Sequence, residues 1–175
     1  GKIKDAHENF KIAVELNQTD YKLYNDWAEM SENVLFTLRG TKLEKTWFEN
    51  SLINNFMTIV FKLDKAKFVI PKIFYLRKKF PNQIIGANFE KYLDNIPTWV
   101  WIFWIPQIFE MMKMGISAPN NNYNFIFSIL KKLAKSYPQY IYYNLTFLLN
   151  SNLKEIYNLK NLDESENLRN NLEEL

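Results

Sequence analysis

Apolar side chains recur three and four positions apart along this chain from Ala6 to Leu149, and nowhere do they settle into the strict alternation between turns that a sheet needs. That period points to helices, and the short polar breaks point to helices joined as antiparallel hairpins. Residues 4–16 place Ala6, Phe10, Ala13, Val14 and Leu16 on one face before Asn17–Asp20 interrupt it. A second helix carries Leu23, Tyr24, Trp27, Ala28, Met30, Val34 and Leu35 and stops near Gly40. The third runs from about Leu43 to Leu63, with Trp47, Leu52, Ile53, Phe56, Met57 and Val60 in phase. The fourth carries Ala66, Val69, Ile70, Ile73, Phe74, Leu76 and Phe80. Pro71 stands inside that phase, which predicts either a kink or a helix that restarts with Pro71 in its first turn.

After a linker the pattern resumes as a short helix over Asn88–Leu93, broken at Ile96-Pro97. Trp101, Trp104, Ile105, Ile108, Phe109 and Met112 then follow as one helical run that Pro106 should bend. Gly115–Asn122 reads as a loop, because Pro119 and an Asn run fall together there. Phe125, Ile129, Leu130 and Leu133 mark a further helix ending at Tyr137-Pro138, with Pro138 in the first turn of the next, which carries Ile141, Leu145, Leu148 and Leu149. Residues 151–175, with Ile156, Leu159, Leu168 and Leu172 among many Asn and acidic side chains, read as an acidic helical tail.

Composition removes most chemistry. The chain has no Cys and one His (His7), so disulfides, thiolate zinc sites, cysteine nucleophiles and two-histidine catalysis are excluded. Four glycines and no phosphate-loop motif argue against a nucleotide cradle. No cofactor, metal or catalytic constellation is expected. Carboxylate pairs such as Glu29 and Glu32 sit at helix-surface spacing with nothing to form a pocket around them. The most apolar stretch, Pro97–Phe109, is shorter than the ~20 residues that span a bilayer, so no membrane partner is expected. The residues used in excess are aromatic, 17% of the chain, and aromatic side chains dominate cores and interfaces.

A net charge of +3 does not by itself support direct nucleic-acid binding. The best case for an anionic partner is local. Lys65, Lys72, Arg77, Lys78 and Lys79, with Lys62 and Lys67, interleave with Phe68, Phe74 and Tyr75. On a helix the aromatics of this segment should face inward and the cations outward. Trp101 and Trp104 share a face with Ile105 and Ile108, the arrangement of a buried seam between helices.

Two stretches carry a resemblance. Ala6-x3-Phe10-x2-Ala13, followed by Tyr24, Trp27 and Ala28, is similar to the second helix of one tetratricopeptide repeat and the first helix of the next, with Gln18 where the repeat-closing Pro would stand. Ile96-Pro-Thr-Trp-Val-Trp-Ile-Phe-Trp-Ile-Pro-Gln-Ile108, followed by Leu133-Ala-Lys-Ser-Tyr-Pro-Gln-Tyr-Ile-Tyr-Tyr143, resembles the FAT region of the phosphatidylinositol-3-kinase-related kinase (PIKK) superfamily. Within that superfamily the Trp101/Trp104 pair before Ile-Pro-Gln is most similar to the transcription-associated, TRRAP-like pseudokinase branch. The chain departs from the family pattern at Asn144, where a Pro is usual, and at Asn120–Asn122, which lengthen a loop.

The resemblance implies an all-α segment of antiparallel hairpins stacked as a TPR/HEAT-like α-solenoid: a degenerate repeat hairpin over 1–40, a helical pair over 41–85 and signature helices over 88–150. Trp101, Trp104, Pro106, Gln107, Tyr137, Pro138 and Gln139 are its structural signature, and Ala6, Phe10, Ala13, Tyr24, Trp27 and Ala28 its repeat-packing positions. It further implies a fragment of a very large nuclear protein whose kinase-like domain lies elsewhere. The implied role is a non-catalytic scaffold, contacting activators and subunits of histone acetyltransferase complexes as well as the adjacent solenoid and kinase-like domain. The alternative is the regulatory solenoid of a catalytically active PIKK.

Overall fold

The structure, a computed structural model, describes residues 2–81, 83, 89–117, 122–144 and 146. Every regular element among them is helical, in keeping with the all-α periodicity. Leu145, Leu148, Leu149 and the expected acidic tail over 151–175 lie outside the described residues. The chain divides into two compact units, Gly1–Pro97 and Thr98–Leu175.

In the first unit α1 (Lys2–Leu16), α2 (Tyr21–Thr37), α3 (Glu44–Phe61) and α4 (Ala66–Lys79) follow one another through short connections, and each packs on the next. Connections this short turn successive helices antiparallel, as in a helical repeat. A 3₁₀ turn, Leu63–Lys65, leads into α4, and α5 (Phe89–Asp94) packs against α3. The polar breaks do local work. Asp20 caps α2, its carboxylate accepting from the Lys22 backbone N–H at 3.0 Å. Gly40 sits at φ +80°, where a side chain would be strained, and the Glu44 carboxylate at the head of α3 accepts from its N–H.

α3 is buried around most of its circumference: Trp47, Phe48, Leu52, Phe56 and Ile59 are core, and so are Ser51, Asn54, Asn55 and Thr58. Polar side chains survive there because they are bonded. Asn55 Nδ2 donates to Glu32 Oε1 and to the Ser51 carbonyl, both at 2.9 Å, and Thr58 Oγ1 donates to the Asn54 carbonyl at 2.9 Å. Ala28 and Ser31 on α2, with Ser51 on α3, keep buried positions small and let the two backbones approach. Across α3 from these, Arg77 of α4 is wholly buried, its guanidinium 5.7 Å from the Phe48 ring and donating from Nη1 to the Gln83 carbonyl at 3.0 Å. Gln83 Nε2 donates in turn to Glu44 Oε1 at 2.7 Å, so the end of α4 is tied to the start of α3.

In the second unit a 3₁₀ helix (Thr98–Trp104) runs into α6 (Ile105–Ser117), α7 (Asn122–Ser136) packs on both, and residues 138–144 are helical. Ile105, Ile108, Phe109 and Met112 of α6 and Phe125, Ile126, Ile129, Leu130 and Leu133 of α7 form its core.

Three expectations change. The run from Trp101 to Met112 is two elements, and Pro106, rather than bending a helix, is the second residue of α6, where its missing N–H has no intrahelical partner to lose. Pro71 lies in the second turn of an uninterrupted α4, not at a restart. Residues Gly115–Ser117, read as loop, continue α6, since a single helical Gly costs only about 1 kcal/mol.

Truncating Glu32 to Ala takes the acceptor from one N–H of the buried Asn55 amide, which keeps its bond to the Ser51 carbonyl, and should destabilise the chain by about 1–3 kcal/mol, whereas Phe56→Ala should cost about 3–5 kcal/mol. Urea unfolding followed by circular dichroism checks both the magnitudes and their order.

Candidate protein-contact surfaces

Of the six residues expected to pack the repeat, Phe10 and Trp27 meet around one hydrogen bond. Trp27 Nε1 on α2 donates to His7 Nδ1 on α1 at 3.2 Å, and the His7 ring stands edge-on to Trp27 (5.2 Å) and to Trp47 of α3 (5.3 Å). Phe10 stacks on Trp27 with the planes 4° apart. Tyr24 and Ala28 are buried, while Ala6, Phe10, Ala13 and Trp27 are half-buried. The Tyr24 hydroxyl donates to the Gln18 carbonyl at 3.0 Å, and its burial raises the phenol pKa. α1 contributes no fully buried residue, so His7 and Phe10 are its chief hold on the unit. The lone histidine, which the sequence leaves without any ligand or catalytic partner, is therefore the acceptor that fastens α1.

The signature residues divide sharply. Trp101 is completely buried, its indole N–H without a hydrogen-bond partner among the described residues. Trp104 and Tyr137 are half-buried, and Pro106, Gln107, Pro138 and Gln139 are exposed. A 3₁₀ helix eclipses positions i and i+3, which keeps Trp101 and Trp104 on one side although the period is not that of an α-helix. Trp99 and Phe103 point outward. Beyond Pro138, Ile141 is buried while Tyr140, Tyr142 and Tyr143 are exposed.

The cationic segment is not the simple inward-aromatic face expected. Arg77 leaves the patch altogether: it is buried, and burial pulls its pKa down to about 10, which leaves it charged at neutral pH. Phe74 faces inward, but Phe68 and Tyr75 are exposed, because seven-residue spacing puts both on the side of α4 turned away from α3. Lys65 and Lys72 are half-buried beside them, and Lys78 and Lys79 are exposed. Lys65 and Lys72 also line a groove of about 310 Å³ with Phe68, Val69 and, from α2, Tyr21, Lys22, Asn25 and Asp26. No pattern within the segment signalled the α2 residues, which only packing brings there.

Among the described residues no three His, Asp or Glu side chains gather as a metal site, and no helix is long and apolar enough to cross a membrane. Successive antiparallel hairpins with such surfaces define a helical-repeat protein.

The chain is similar to the SAGA complex/NuA4 acetyltransferase complex subunit Tra1 of Schizosaccharomyces pombe, 25% identical over 147 residues, and to TRA1 of Saccharomyces cerevisiae, 23% identical over 145 residues. Each match takes in 81% of this chain and 4% of the relative, so the chain spans about one twenty-fifth of either protein's length. A stretch that long, in 175 residues, has to include residues 101–107 and reach Tyr137. The resemblance to the TRRAP-like branch of the PIKK superfamily, drawn from those residues, is thus supported by similarity over most of the chain. No protein-family model matches, and neither does any solved structure.

Two outcomes follow from the side chains above. Neutral His7 is the form that accepts the indole proton, and its burial, with Lys11 nearby, holds its pKa below 6.5. Stability from this contact is complete above pH 6.5 and is lost as the pH falls from 6.5 through the lowered folded-state value. Thermal unfolding of the wild-type chain should therefore weaken between pH 7 and pH 5.5 relative to a His7→Phe variant. Trp101→Ala should cost about 3–5 kcal/mol, and the half-buried Trp104→Ala should cost less, a ranking that chemical denaturation reads directly.

Proposed function

We propose that this chain is a non-catalytic α-solenoid segment of a Tra1-like protein and that its work is to hold a large nuclear acetyltransferase assembly together. The observation that carries the reading is the similarity to Tra1 of two yeasts over 81% of the chain. Supporting it, Tyr24, Trp47, Phe48, Phe56, Phe74 and Phe80 are buried in the first unit, and Trp101, one of the signature's two tryptophans, is core. In this reading residues 1–150 form the repeat segment, with 151–175 as its acidic tail. Trp101, Trp104 and Tyr137 pack the second unit, and Pro106 and Pro138, each in the first turn of a helix, set where those helices begin. Gln107 and Gln139 stay free for contacts with adjoining parts of the same protein. The partners are the neighbouring solenoid and a kinase-like domain without catalytic aspartates, other subunits of the complex, and transcription activators.

The test is to tag the parent protein at its chromosomal locus, purify it from nuclei and assay the eluate. Histone acetyltransferase activity should co-purify, and the kinase-like domain of the same reading frame should lack the aspartates that activate substrate and hold magnesium. Intact aspartates with protein-kinase activity, and no acetyltransferase, would overturn the reading in favour of a working kinase's regulatory solenoid.

A further inference from the structure

Thr98–Trp104 is a 3₁₀ helix of seven residues that runs directly into α6. Runs beyond three or four residues are uncommon, because 3₁₀ hydrogen bonds are poorly aligned. The apolar side chains do not require this one. On an α-helix extended back to Thr98, Val100, Trp101, Trp104, Ile105, Ile108 and Phe109 would share one half of the surface. In the structure five of these six are buried and Trp104 is half-buried. The inner face therefore suits either helix.

Two side chains set the balance between the forms. In an α-helix continuous through position 106, the Pro106 ring would press on the Ile102 carbonyl four residues back, whereas Pro106 is tolerated as the second residue of α6. The 3₁₀ form is not fully satisfied either. Trp101 is completely buried in it, with its indole N–H unpartnered among the described residues, and an unanswered buried donor weakens the packing that holds it.

The outer face is where the two forms differ. Trp99 is 46% exposed and Phe103 80%. Four residues apart, they point about 120° apart on a 3₁₀ helix and stand about 8 Å apart along its axis. On an α-helix the same pair would be about 40° and about 6 Å apart. Over the whole segment the exchange turns Thr98 by about 140° around the axis of α6 and draws it in by about 3.5 Å.

We propose that Thr98–Trp104 is a two-state joint, 3₁₀ in the structure and convertible to α, with Pro106 as the latch that holds the 3₁₀ form. In the α form the same apolar residues stay inside, Trp104 turns further in, and Trp99 and Phe103 close into one outward stripe. Packed segments with two discrete arrangements are the moving parts of conformational switches. The exposed Pro106 thereby gains a role besides starting α6. The joint goes beyond the scaffold reading and does not depend on the parent being an acetyltransferase subunit.

The chain has no cysteine, so Trp99→Cys with Phe103→Cys places two nitroxide spin labels at exposed positions and nowhere else in the full 175 residues. Electron paramagnetic resonance then reads their dipolar coupling. The labelled chain with Pro106 should give mainly the weakly coupled spectrum. Pro106→Ala and Pro106→Ser, which remove the ring and restore an N–H, should each raise the strongly coupled component at least fivefold while the chain stays folded by circular dichroism. Adding Gln107→Pro to Pro106→Ala sets a ring against the Phe103 carbonyl instead and should restore the weakly coupled spectrum. Equal coupling with and without Pro106 would overturn the proposal, as would strong coupling that Gln107→Pro does not remove. Unfolding of both Pro106 variants would overturn it too, since a latch against a second folded form is not needed for folding. Loss of acetyltransferase association in the parent would leave these readouts untouched.

Discussion

The first unit depends on α3 being buried nearly all round. A helix so placed has no solvated face on which to put its polar residues, so each has to be answered from within the fold. Asn55 and Ser51 turn to Glu32, Thr58 bonds back along its own helix, and the Glu44 side chain at its head accepts from Gly40 and Gln83. Through Glu32 these bonds reach α2, and through Gln83, whose carbonyl accepts from Arg77, they reach the end of α4. They fix the rotation of α2 and α4 about α3, which hydrophobic contact alone, being non-directional, would leave loose.

That fixed rotation has a consequence at the surface. With α2 and α4 held against one central helix, Tyr21 and Phe36 are brought beside the outward row of α4, and a groove exists that neither helix has alone. Arg77 shows the same logic from the other side. A guanidinium that the charge pattern would spend on a surface patch is taken into the core, over Phe48 and against the Gln83 carbonyl, and there it closes the end of α4. The first unit thus leaves Phe68 and Tyr75 on its outside and keeps its buried charge for shape.

Much of this was legible in the sequence because helical burial is periodic. The three- and four-residue recurrence located α1 to α4 and α7 to within a few residues, and the two signature halves pointed to the proteins the chain proves similar to. Proline and glycine were harder. Pro71, Pro106 and Gly115 each allow more than one helical setting at a cost of a few kcal/mol or less, and packing at neighbouring residues decides which is adopted.

Sequence alone therefore determined that the chain is helical and, through the period of the apolar side chains, most of the buried face of α2, α3, α4, α6 and α7. It did not determine what that face meets. The His7 acceptor for Trp27, the burial of Arg77 and the exposure of Phe68 and Tyr75 are set by which helix lies alongside, at separations of 20 residues or more for the first and by the orientation of α4 on α3 for the others. Periodicity is a property of one helix, whereas a groove or a buried charge belongs to a pair, and the pairing exists only once the chain has folded.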